Sequence, residues 1–96
     1  MTTTHQAQRY TFGDYDEAVE SYFDRGWTDG LPIVPPTLEK VESFLHYAGL
    51  SSDEVIGHVP TREVTVTAEQ VAVNAVMAGC KAEYMPVVMA ATRALL

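Results

Sequence analysis

Apolar residues recur at helical spacing in four stretches of this chain and alternate with polar ones in a fifth. Between Asp14 and Gly26, residues Tyr15, Ala18, Val19, Tyr22 and Phe23 return every turn, which predicts a short amphipathic helix over 15–25. Asp14 with Glu17 reads as a capping box at its start. Thr37 caps a second helix, with Leu38, Val41, Phe44, Leu45 and Ala48 on one face and Gly49 as its stop. A further capping box, Thr67 with Gln70, opens a third helix over 68–78, whose Val71, Ala72, Val73, Ala75, Val76 and Met77 leave little of it for water. The last helix, about 84–95, is apolar nearly all round, the pattern of a helix covered on every side. Arg62-Glu63-Val64-Thr65-Val66 alternates polar and β-branched residues and reads as the one strand. Its partner is the 31–34 segment, another chain, or nothing. Ser51 with Glu54 suggests a single helical turn before Gly57, and residues 58–61 a turn.

Between the first two helices runs Gly26-Trp27-Thr28-Asp29-Gly30-Leu31-Pro32-Ile33-Val34-Pro35-Pro36-Thr37, whose prolines and glycines forbid a regular helix. The expected fold is therefore mainly α: a small helical domain over 14–96 with an irregular Pro-rich loop and at most one short strand, α+β being the alternative. Residues 1–13, with three consecutive threonines and Tyr10 and Phe12 as their only anchors, read as a flexible N-terminal arm or a segment that orders against a partner.

Charge and composition narrow the partners. The 96 residues are 47% hydrophobic with a net charge of −7, which disfavours nucleic acid or an anionic membrane as the main partner. A single cysteine makes no internal disulfide, and with no basic region leading into an apolar run the expected location is cytoplasmic. Two nearly all-apolar helices and an apolar loop exceed what so small a domain covers by itself, so a larger partner polypeptide is expected.

The single cysteine also marks the first candidate for chemistry. Gly79-Cys80-Lys81-Ala82-Glu83-Tyr84-Met85-Pro86 reads as a turn between two helices. A thiol just before a helix N-terminus is favoured as thiolate, and Lys81 pushes the same way. Glu83 and Tyr84 add a carboxylate and a phenol usable in acid–base work, so Cys80, Lys81, Glu83 and Tyr84 are the catalytic candidates. The competing reading makes Cys80 a small buried apolar residue without chemistry. Trp27, Thr28 and Asp29 are the candidates for binding a small-molecule substrate, because functional residues favour loops on a rigid scaffold. Packing alone also explains that loop. His46 and His58 are isolated, and no spacing suggests a metal site. Nothing in the sequence specifies a cofactor.

The loop from Gly26 to Thr37 and the stretch Met77-Ala78-Gly79-Cys80-Lys81-Ala82-Glu83-Tyr84-Met85-Pro86 together resemble the N-terminal region of a bacterial protein family associated with UGSC-motif selenoproteins and their cysteine homologues. The likeness runs over about 15–96. Ala82 departs from it, since the family prefers proline there. So does the end at Leu96, since the family continues into a glycine-rich part. The resemblance implies redox or thiol chemistry and a small subunit of a hetero-oligomeric bacterial enzyme, with the Cys80 turn contributing to a shared site. The alternative is a non-catalytic subunit that completes the fold of a larger catalytic chain.

Overall fold

The computed structural model describes residues 7–96; the first six residues of the expected N-terminal arm lie outside them. The protein is mainly helical with a small sheet: α1 (Tyr15–Asp24), α2 (Leu38–Ala48), β1 (Val55–Val59), β2 (Val64–Thr67), α3 (Ala68–Met77), a 3-10 turn (Ala82–Tyr84) and α4 (Met85–Leu95).

The first three helices each start where a side-chain cap places them. The Asp14 side chain accepts from the Glu17 N–H at 2.8 Å, and Thr37 Oγ1 from the Lys40 N–H at 3.3 Å. Thr67 and Gln70 form a complete box, with the Thr67 N–H donating to Gln70 Oε1 at 3.0 Å. At α1 the box is displaced by one residue, because Glu17 reaches the N–H of Gly13. Two further N–H groups at the start of α3 are met by the loop between α2 and β1: Ala68 donates to Glu54 O and Glu69 to Ser52 O, in a segment where Ser52 is buried.

The first three helices end alike. Gly26, Gly49 and Gly79 take φ of 76°, 70° and 85°. The residue after each glycine donates its N–H back across the last turn: Trp27 to Tyr22 O, Leu50 to Leu45 O and Cys80 to Ala75 O. The glycines themselves donate to Phe23, His46 and Val76. This paired pattern is the Schellman motif, in which the residue after the glycine folds an apolar side chain back on the helix. Trp27, Leu50 and Cys80 all hold that position.

The core forms where α2, α3 and α4 meet, around Val41, Phe44, Leu45, Ala72, Val76, Met85 and Met89. α3 contributes the small buried side chains Ala68, Ala72 and Ala75 to this core. The two strands form an antiparallel hairpin in which His58 faces Thr65 and Val59 faces Val64, with a bulge between Val55 and Gly57. The hairpin revises the sequence reading, which placed a helical turn at 51–56 and a lone strand at 62–66. β1 is the missing partner, and the 31–34 segment instead bridges helices through Val34 N–H to Met77 O and the Tyr15 hydroxyl to Ile33 O. Gly57 lets the chain end cross β1, since a methyl group there would lie 2.8 Å from Leu96 Cβ.

α4 is not covered on every side. Met85 and Met89 are buried, while Val87 is 73% and Leu95 87% exposed. No helix among the described residues is long and apolar enough to cross a membrane.

Candidate functional site

A cleft of about 600 Å³ is bounded by residues 7–10, the end of α1 with Trp27, the start of α2 and one side of α3 from Glu69 to Met77. Its size falls within the ordinary range for small-molecule sites. One wall is aromatic. Trp27 packs edge-on against Tyr22 at 5.1 Å and against Tyr10 at 5.2 Å between ring centroids, and Phe12 meets Tyr22 at 5.9 Å. The Trp27–Tyr22 contact follows from the Schellman closure of α1, which folds the residue after Gly26 back over the helix end. Arg25 holds its guanidinium 4.4 Å from the Tyr10 ring centroid and 5.0 Å from that of Trp27, a cation–π arrangement. Val41, Val73 and Met77 form the apolar floor, and Glu69 supplies a carboxylate.

Glu69 is only 5% exposed. It sits in the first turn of α3, where a negative charge is favoured by the helix dipole, and its Oε1 accepts the Ala7 N–H at 2.9 Å. That bond and the Tyr10 and Phe12 ring contacts lay residues 7–12 along the outer edge of the cleft.

Partial burial pushes the Tyr22 phenol above its ordinary value of 10.0. Since the folded state holds this proton more tightly than the unfolded chain, the contribution is fully present below about pH 10 and is lost as pH rises through the folded value. Tyr22→Phe is therefore expected to lose less stability than the parent between neutral pH and pH 11. Chemical denaturation at several pH values measures the difference, and parallel curves would contradict it.

The sequence-predicted residues fall in two separate places. Trp27 lines the 600 Å³ cleft and also, with Thr28 and Asp29, a shallower neighbouring one against Asn74 and Met77. Thr28 and Asp29 direct side-chain oxygens to their own loop: Thr28 Oγ1 accepts from Gly30 N–H at 3.3 Å and Asp29 Oδ1 from Leu31 N–H at 3.0 Å. Both are turn-forming bonds. Cys80, Lys81, Glu83 and Tyr84 line neither cleft. Cys80 is half-buried against the core as the closing residue of α3, and α4 begins only at Met85, with the 3-10 turn between. Lys81, Glu83 and Tyr84 are exposed. Among the described residues no group of His, Cys, Asp and Glu is arranged to hold a metal ion.

Sequence reasoning missed Tyr10, Tyr22 and Glu69 as members of one site. Tyr22 entered the sequence reading only as part of the apolar face of the first helix and Tyr10 only as an anchor of the arm, and only the fold brings them together with Glu69. Comparisons with protein-family models, curated proteins and solved structures find no match to this chain.

Proposed function

We propose that this chain is the small subunit of a hetero-oligomeric enzyme, docking on a larger polypeptide through α4 and contributing the adjoining Cys80 turn to a shared site, with the Trp27 cleft receiving a small-molecule substrate. The observation that carries the reading is the apolar stripe Val87, Ala91 and Leu95, exposed along one side of α4 and continued by Tyr84 in the turn that holds Cys80. Val87 and Leu95 are among the most exposed large apolar side chains of the described residues, and a contiguous apolar stripe of this kind is what marks a docking surface. The resemblance noted above adds thiol or redox chemistry as the class of reaction and bacteria as the source.

A second reading is a non-catalytic subunit that completes a larger chain. It is favoured by the position of Cys80, which the closure of α3 explains without chemistry. One experiment separates the two: purify the chain from its own source, identify what copurifies at fixed stoichiometry, and assay the complex with Cys80→Ser. Loss of activity with assembly intact is expected for a shared thiol site. Unchanged activity assigns the structural role, and isolation of a lone, well-folded monomer overturns both.

A further inference from the structure

We propose that residues 7–12 are a strap that closes the cleft behind Trp27, latched to the helices by aromatic contacts and hinged at Gly13. The strap regulates access to the small-molecule site of the reading above, and its use rests on that reading. The strap and its latch lie within this one chain, so they are tested without substrate or partner.

The cap of α1 sets where the strap ends. Asp14 accepts from the Glu17 N–H, and the Glu17 carboxylate holds the Gly13 N–H at 2.9 Å, so the chain is fixed from Gly13 onward. Residues 7–12 ahead of it adopt neither helix nor strand, and 7–11 are exposed. Among the described residues no backbone-to-backbone hydrogen bond ties them to the helices. Side chains do the holding instead. At one end the Glu69 carboxylate takes the Ala7 N–H. In the middle Tyr10 meets Trp27 edge-on while the Arg25 guanidinium covers its ring, and Arg25 is itself fixed to α1 by Nε donating to Ser21 Oγ at 3.1 Å. At the hinge end Phe12 packs on Tyr22. The Tyr10 hydroxyl turns back to Gln8 Oε1 at 3.0 Å, a bond inside the strap.

A latch of this kind is light. Each ring pair or exposed cation–π contact favours the closed form by about two- to tenfold, and the entropy of ordering six residues works against them. The core cluster of α2, α3 and α4 contains no residue of the strap. The strap therefore opens with the helices intact, as segments that serve access to sites characteristically do. Opening takes Ala7, Gln8, Arg9 and Tyr10 away from one wall of the cleft and uncovers the wall that includes Val73 and Met77. A molecule seated in the closed cleft touches both walls, so occupancy favours closure.

The test reads access to the α3 wall. In the full chain carrying Val73→Cys, a fluorescein maleimide labels the introduced thiol and Cys80, which lines neither cleft, and peptide mass mapping gives both rates from one sample. Adding Tyr10→Ala with Phe12→Ala is expected to speed labelling at position 73 by at least about fivefold while the rate at Cys80 stays as it was. An unchanged rate at position 73 would overturn the proposal. So would equal acceleration at both thiols, because the segment would then belong to the cooperative fold. A second measurement needs no new thiol. Trp27 is the only tryptophan in the chain, and Tyr10→Ala with Phe12→Ala alone is expected to raise acrylamide quenching of its emission with far-UV circular dichroism unchanged. Quenching equal to the parent's would overturn the strap even if Val73→Cys fails to fold. Failure to find a substrate or a partner bears on the reading above and alters none of these outcomes.

Discussion

Met85→Ala is expected to lower the free energy of unfolding by about 2–5 kcal/mol, read from urea denaturation followed by circular dichroism. Met85 is fully buried and opens α4 in the cluster that joins α2, α3 and α4. Truncation leaves a cavity whose walls are helix backbones and neighbouring large side chains, which relax only in part. The better helix propensity of alanine offsets only a few tenths of a kcal/mol. A domain of this length has roughly 5–14 kcal/mol in total, so the change removes a large share. Val87→Ala, two positions along on the exposed side of the same helix, is expected to stay within about 0.5 kcal/mol. If the two variants unfold at the same urea concentration, the core is not where the packing places it.

What could be read from the sequence was local. Asp14, Thr37 and Thr67 announced helix starts because a cap is a bond between neighbours in sequence. Gly49 and Gly79 announced stops for a similar reason. The hairpin was hidden by competing signals: Ser51 and Glu54 imitate a helix start, while the bulge at Val55–Gly57 breaks the alternation that identifies a strand. Within this chain only one side of α4 is covered: an all-round apolar pattern says that the helix avoids water, without saying whose surface covers it. Trp27 was singled out as a binding residue from its loop and does line the cleft. Its companions Tyr10, Tyr22 and Glu69 come from the N-terminal segment, α1 and α3, and no short-range pattern links them. Cys80 attracted a chemical reading because it is the only cysteine. Its place after Gly79 matches those of Trp27 and Leu50, and the recurrence of glycine followed by an apolar residue was a structural signal already present in the chain.

Val87→Asp and Leu95→Asp are expected to leave the isolated chain folded and to abolish or greatly weaken the proposed complex. Both side chains stand well exposed on α4, so a carboxylate there stays hydrated in the free chain and alters its stability by no more than about 0.5 kcal/mol. In the complex the same carboxylate would be desolvated without a partner, at a cost of about 3 kcal/mol, or roughly a hundredfold in affinity. The neighbouring Val88 is unsuitable for this test because it packs against the core, and an acid there would confuse failure to assemble with failure to fold. Co-expression with the copurifying polypeptide, followed by size-exclusion chromatography, reads the outcome. Loss of the complex with an unchanged urea midpoint would place the interface on α4 beside the Cys80 turn. Retention of the complex by both variants would move the interface elsewhere, and with it the case for Cys80 in a shared site.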